Sequence, residues 1–434
     1  MTITAAPVRP RTRPPLAIYV LGVAIFAQGT SEFMIAGLLP DLTADLHITV
    51  PQAGMLITAF AIGMAIGAPV MTLLTLRLPR RLTLIGAAVG YLLMHLLAIT
   101  THSYQALLIT RVVAAVLYAT FWAVSAVVAT RIAGKAAMAR AMAILVGGLS
   151  IANVLGVPAG TLLGDRFGWR AAFLAVAVAT AASAVLIMLL VPNTEPGSTR
   201  SPGRRQRTVH PMRELIADEL QAFRRGRLWL ALLTTALFQG AVFAAFSYFS
   251  PLLIQVTGIP AGRVPLYLLI FGVGAFLGTT IGGRVADRGP LANVAISLTA
   301  TVLGSLLLLA LLGSPIGTAV AIGLYALAAF SIAGAINGRV LGFAGAAPTL
   351  AAAVNTSAFN VGNAVGPWLG GLAIAVGLGF RSPVFVGIAM LLAALAVAGI
   401  SAIVERRPEP RSPLLSDRHG NDVDCPLGSG ACDV

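Results

Sequence analysis

Charge is scarce in this chain: 10% of its 434 residues are Asp, Glu, Lys or Arg, 58% are hydrophobic, and the mean hydropathy is +0.90. Soluble domains carry about 25% charged residues, so a water-soluble core is excluded. Cysteine is scarcer still. Cys425 and Cys432 are the only two, both in a polar tail, which implies no disulfide framework. Two thiols without a nearby histidine pair make a poor zinc site, so no metal is expected. A Gly-x4-Gly-Lys-Ser/Thr loop is missing, which argues against an ATP-driven pump. The Gly272-Val-Gly274 cluster is no substitute, because it lies inside an apolar run with no preceding strand. No nucleophile and base cluster together, so the chain reads as a non-enzyme that needs no cofactor beyond the proton motive force.

What the sequence has is long apolar runs. They lie near 16–39, 53–76, 82–100, 104–130, 141–164, 171–191, 228–256, 264–283, 291–312, 315–337, 349–376 and 383–404, each of a length to cross a bilayer. Lipid offers backbone groups no water, so each run closes its own hydrogen bonds as a helix. The predicted fold class is all-α, a polytopic membrane protein of twelve transmembrane helices. The run after residue 16 follows a basic segment, as in a signal peptide, but it is too long and too many runs follow. It reads as a retained first helix.

The formal charge of +14 would suit nucleic acid, yet the basic residues fall between apolar runs rather than along one face. No nucleic-acid partner is expected. If the N-terminus is cytoplasmic, 24 basic residues lie inside and only Arg166, Arg170, Arg263 and Arg381 outside, with Arg111 within a span. That is the positive-inside rule. It predicts a multi-pass protein of the cytoplasmic membrane, lipid its surroundings, both termini cytoplasmic, and a monomer.

One shift of 211 positions carries Gln28 onto Gln239, Pro40 onto Pro251, Gly63 and Gly67 onto Gly274 and Gly278, Arg77 onto Arg288, Gly160 onto Gly371 and Arg170 onto Arg381. Such an internal repeat is common in transporters. The expected organisation is a cytoplasmic N-terminal segment (1–15), a six-helix bundle (16–191), a basic cytoplasmic linker (192–227), a second six-helix bundle (228–404) and a cytoplasmic tail (405–434). Within the linker, Met212 to Phe223 could form a surface amphipathic helix.

Of the 15 acidic residues, Glu32 alone sits well inside an apolar run. A charge there costs about 2.5 to 3.5 kcal/mol on insertion scales. A carboxyl in such a place suits a group that takes up and releases a proton once per cycle; the bland alternative is a side chain reaching the interface. The repeat places Phe243 at the equivalent position, so the halves differ where the chemistry sits. Arg111, the only clearly intramembrane cation, cannot be neutralised and reads as a fixed charge beside the proton site. Gly283-Arg-Val-Ala-Asp287-Arg288 puts an acid and a base after a helix end, a latch together with Arg77; the first-half loop has Leu76 where the acid would be. Gly156, Pro158 and Gly160 in the fifth span and Pro367 in the eleventh are bending and close-packing positions. Candidate substrate contacts are Gln28, Met34, Tyr118, Trp122, Gln239, Phe243, Phe246, Asn337 and Asn360, aromatics and amides that would suit an apolar molecule with a few polar groups. His95, alone in the third span, reads as a satisfied polar residue rather than a ligand.

At these residues the chain resembles the major facilitator superfamily, from Leu16 to Val404. Gly283 to Arg288 resembles its loop motif, Leu107 to Arg111 its fourth-helix arginine motif, and Gly148 to Gly160 a variant of its antiporter motif. The first-half loop departs from the pattern at Thr72, Leu76 and Pro79. More narrowly, Gly29-Thr-Ser-Glu32-Phe-Met-Ile-Ala-Gly37-Leu-Leu-Pro40, Gly63 to Pro69 with Arg80-Arg-Leu-Thr, Gly156-Val-Pro158-Ala-Gly160 and Gly168-Trp-Arg170 resemble bacterial chloramphenicol efflux proteins. The resemblance implies a drug:proton antiporter exporting chloramphenicol or related phenicols. The first motif is shared with sugar-efflux and other drug-efflux relatives, so a sugar or metabolite exporter is the rival reading, and a channel without proton coupling a further one.

Overall fold

The structure is a computed structural model that describes residues 14–75, 78–192, 226–286, 289–344 and 348–406. The first half comprises α1 (Leu16–Phe33), α2 (Ile35–Leu46), α3 (Val50–Leu74), α4 (Arg80–Thr100), α5 (Tyr104–Ile151), a π-helical turn (Ala152–Gly156), α6 (Val157–Phe167) and α7 (Trp169–Leu190). The second comprises α8 (Gly226–Phe246), α9 (Phe249–Gln255), a short 3-10 turn (Ala261–Arg263), α10 (Val264–Ala286), α11 (Pro290–Leu311), α12 (Pro315–Phe330), α13 (Ala333–Ala344), α14 (Pro348–Ala375) and α15 (Ser382–Arg406). Among the described residues, 11 helices are long and apolar enough to cross a membrane. The twelfth predicted span is α14, which has the length at 28 residues, but Asn355, Asn360, Asn363 and its glycines lower its hydropathy. Outer faces carry large apolar side chains such as Leu189 and Ile316, 73% and 79% exposed, a surface that only lipid would cover without penalty.

The fourth and fifth runs part where the sequence separates them: α5 is two helical stretches joined at Gly134, whose φ of 66° is left-handed, and the spans on either side are Tyr104–Gly134 and Arg140–Phe167. Arg and Ala are strong helix formers, so a basic stretch at the membrane edge stays helical up to the one residue that bends freely.

The packing repeats as the sequence does. In the first half α3 and α4 pack on α5, α4 on α7, and α1 on α7 and the α5 to α6 segment; in the second, α10 and α11 pack on α12, α11 on α15, and α8 on α15 and α14. Gly63 and its equivalent Gly274 show why. A Cβ on Gly63 would lie 2.7 Å from the Val112 carbonyl oxygen, and one on Gly274 2.5 Å from that of Gly323. Both glycines let the second helix of their half touch the backbone of the fourth. Between the halves, α3 lies along α14, and its pseudo-symmetric counterpart, α6 with the π turn, meets α10. Thr58 Oγ1 donates to Ala364 O at 3.1 Å, and Ser357 Oγ donates to Ala65 O at 3.1 Å across that first seam. At the end remote from Leu16 and Arg406, α2 meets α9 and the 3-10 turn meets α6, so the halves are joined there.

Each end carries a polar clamp. Near the termini, Arg339 pairs with Glu405 and donates to Ser401 Oγ at 2.9 Å. At the far end, Trp169 Nε1 donates to Asp45 Oδ2 at 2.9 Å, and Arg170 bonds Asp45 and the carbonyls of Ile99 and Thr101, tying α2, α4 and α7. The Trp169 hydrogen bond, followed by the Arg170 pairing, holds the Asp45 carboxyl below its usual range.

Two outcomes follow. Gly63→Val and Gly274→Val should each destabilise the protein by about 1 to 3 kcal/mol through overpacking, read as lower thermal midpoints in detergent. Asp45 is depressed in the folded state, so its contribution is present above the unfolded carboxylate range and is lost as pH falls through the folded value. Asp45→Asn should therefore lower stability at pH near 7 by under about 1 kcal/mol, the clamp being partly solvated, and the gap to wild type should narrow as pH falls below the ordinary carboxylate range.

Candidate functional site

The site is built on one turn of α1. Residues 28, 31 and 32 lie three and four positions apart, so Gln28 stacks above both Ser31 and Glu32, while successive residues diverge by about 100° around the axis. Ser31 therefore points into the first half, between α4 and α5, and Glu32 points to one side of it.

Arg111 of α5 is 1% exposed. Its Nη1 donates to Ser31 Oγ at 2.9 Å and its Nη2 to Ser31 O at 3.0 Å. The guanidinium lies 4.3 Å over the Phe60 ring and 6.0 Å from Phe173. A buried cation of this kind needs such partners to remain folded into a protein interior. Ser31 Oγ also meets His95 Nε2 at 2.7 Å, and His95 Nδ1 meets Tyr91 O at 2.9 Å. Tyr91 closes the network by donating its hydroxyl to Gln28 O at 2.9 Å.

Glu32 is partly exposed. Among the described residues no hydrogen bond or ion pair of its carboxylate is found, and Arg111 bonds Ser31 in its place. The carboxylate is nonetheless within Coulombic range of Arg111 and of the Tyr91 and Tyr118 hydroxyls. Fixed cation and free acid are thus neighbours without being a pair, an arrangement able to bind and release a proton.

The remaining candidates fall into three places. Gln28 is fully buried with neither side-chain amide atom partnered, and Tyr118 packs its hydroxyl on Gly29; both adjoin Glu32. Phe243 meets Phe33 across the halves, ring centroids 5.6 Å apart, and Phe246 stacks on Phe271 at 4.7 Å, opening an aromatic wall on the second half. Gln239 donates to Asn363 at 2.9 Å, Asn355 to Asn337 at 2.8 Å, and Asn360 to Thr356 O at 3.0 Å, the Asn360 Oδ1 staying buried and unpartnered. Trp122 is half-buried on α5. Met34 lines a separate cavity of about 140 Å³ with Phe26, Gly160 and Val176, between α1, α6 and α7. A larger cavity of about 420 Å³, bounded by Met55, Thr58, Ile62, Val365 and Trp368, lies at the α3 to α14 seam and contains none of the candidates.

Among the bending positions, Pro158 has a clear local effect. It lacks the N–H that would bond the Val154 carbonyl, and the preceding turn widens to π, Val157 N–H reaching back to Ala152 O. Gly156 there faces Thr30 of α1 with no room for a Cβ, and Gly160 packs tightly on Met34, the residue between α1 and α2. Pro367 sits inside an unbroken α14 and its carbonyl accepts the Tyr248 hydroxyl at 2.8 Å. Arg77, Asp287 and Arg288 lie outside the described residues, as do Met212 to Phe223, Cys425 and Cys432.

Reading the sequence missed Ser31 and Tyr91 and left His95 without a role. One signal was present: Tyr91 and His95 are four apart in an apolar helix, hence on one face.

Residues 21–355 match the Major Facilitator Superfamily. The chain is 36% identical over 384 residues to a chloramphenicol resistance protein of Streptomyces lividans, covering 88% of this chain and 95% of that protein. It is 33% identical over 400 residues to the inner membrane transport protein YdhP of Escherichia coli (strain K12), covering 90% and 97%. Its fold matches a bacterial homolog of the human lysosomal transporter Spinster in an inward-facing, occupied conformation, with a TM-score of 0.74 at 16% identity over 92% of this chain and 100% of that one. With its paired halves, its intramembrane acid and its fourth-span arginine, the chain belongs to the Major Facilitator Superfamily of membrane transporters.

Proposed function

We propose that the chain exports a small hydrophobic drug, chloramphenicol first among candidates, in exchange for protons across the cytoplasmic membrane. The observation that carries this reading is Glu32, an acid within a membrane-spanning bundle, without a direct partner among the described residues, beside a cation anchored elsewhere. The similarity to the Streptomyces lividans chloramphenicol resistance protein supports the substrate. The distribution of arginines supports termini in the cytoplasm, which makes the joined end the outer one.

In this cycle the halves rock about the site. Facing out, Glu32 takes a proton; facing in, it gives the proton up as drug enters. One proton moved through the potential supplies about 2.3 kcal/mol per 100 mV. A neutral drug competes with the proton through conformation and hydrogen bonds, and Gln28, Tyr118, Phe243 and Phe246 offer it one amide and three rings. A second reading draws on the amides Gln239, Asn337, Asn355, Asn360 and Asn363, which would suit a polyhydroxylated sugar exported on the same fold.

Expression in a pump-deficient host should raise resistance to chloramphenicol, and an uncoupler should cancel the gain; sugar export without resistance would favour the second reading. In everted vesicles, Glu32→Gln should abolish drug-induced proton movement. Coupling left intact in that variant would remove Glu32 from the mechanism. Phe243→Ala should weaken drug binding by about 1 kcal/mol or more from lost ring contact, with proton movement at saturating drug retained.

A further inference from the structure

We propose that His95 is a positioning residue for Arg111, acting through the Ser31 hydroxyl to hold the guanidinium away from Glu32. The proposal rests on the reading of Glu32 as the proton carrier.

The direction of each hydrogen bond follows from its neighbours. The Tyr91 carbonyl only accepts, so His95 Nδ1, 2.9 Å away, carries a hydrogen. In the neutral ring that leaves Nε2 bare, and it accepts the Ser31 hydroxyl hydrogen at 2.7 Å. The Ser31 oxygen then turns its lone pairs to Arg111 Nη1 at 2.9 Å. Donation runs one way, from Arg111 to Ser31 to His95 to the α4 backbone. A doubly protonated His95 would reverse the Ser31 bond. It would also set a second cation beside Arg111, in a box walled by Phe60, Tyr91 and Phe173, whose rings lie 4.3 Å from the Arg111 guanidinium carbon and 4.3 and 5.4 Å from the His95 ring, respectively. The polar and charged groups facing His95 are Ser31 from α1, Arg111 from α5 and Tyr91 on its own helix; those facing Glu32 are Arg111, Tyr91 and Tyr118.

This assigns a purpose to an imidazole in an otherwise apolar span. With the relay intact, both Nη atoms of Arg111 are held by Ser31 and the arginine biases Glu32 only through space. Once the relay is cut, Nη1 is free to turn to the nearby carboxylate, and an opposite charge at about 4 to 6 Å favours the ionised acid by about 1 to 3 pH units.

The test is the pH profile of chloramphenicol/proton exchange in proteoliposomes containing wild type, Ser31→Ala, His95→Leu, His95→Asn or Glu32→Gln. Ser31→Ala removes only a hydroxyl and His95→Leu removes the acceptor; each should move the midpoint to lower pH by about one unit or more. His95→Asn should keep the wild-type midpoint, because an asparagine can bond the carbonyl four residues back, as Asn337 and Asn360 do here, while its oxygen accepts from Ser31. A merely structural histidine would change the amount of folded transporter or the maximal rate and leave the midpoint in place. A Ser31→Ala midpoint that is unmoved or raised overturns the proposal. Proton exchange that survives Glu32→Gln refutes the reading of Glu32 itself, whereas exchange lost in Glu32→Gln with an unmoved Ser31→Ala midpoint refutes the positioning role alone.

Discussion

Within a bilayer no water meets a buried charge, and the organisation of the first half follows from how the two Nη groups of Arg111 are held, its Nε staying buried and unpartnered. Its guanidinium cannot lose its proton, so it takes both an oxygen of the Ser31 side chain and the Ser31 carbonyl, and covers its face with Phe60. That choice of partner has two effects. It fastens α5 to α1, and it leaves the adjacent Glu32 close to a positive charge but not directly bonded to it.

Close helix contact makes such a geometry durable. Where Gly63 meets the Val112 backbone and Gly274 that of Gly323, helices approach more closely than side chains would allow, and van der Waals contact replaces the hydrophobic drive that lipid cannot supply. The same arrangement appears in both halves, yet the centre is asymmetric: an acid in the first half stands opposite Phe243 in the second, whose ring meets Phe33. One half holds a carboxyl and the other an aromatic wall, a division of labour that would suit the proposed coupling of a proton to an apolar molecule.

Most of the fold was legible in the sequence because apolar runs and loop arginines are local signals. The repeat was legible in part: the shift of 211 positions pairs Gly63 with Gly274 and Gly67 with Gly278, which meet equivalent neighbours, whereas the Gln28 side-chain amide is unpartnered and its equivalent on Gln239 bonds Asn363. The Gly134 kink was not, because a short basic stretch looks the same whether it is a loop or a continued helix. At the site, Glu32 and Arg111 stood out as charges in apolar surroundings. Their relation did not, because it runs through Ser31 and His95 and depends on how α1, α4 and α5 are rotated; the contacts join residues 64 and 80 positions apart. Ser31 is an ordinary residue in a list of membrane-helix serines until Arg111 is placed against it. Met34, a candidate substrate contact from the sequence, lines a small cavity between α1, α6 and α7, a place that its position in the sequence does not reveal.

The central claim is that one intramembrane carboxyl exchanges its proton for drug. Infrared difference spectroscopy of the purified transporter on addition of chloramphenicol reads that event at the bond concerned. The account predicts loss of a protonated carboxyl C=O band and gain of carboxylate bands, both missing from Glu32→Gln. The same difference spectrum persisting in Glu32→Gln would contradict it.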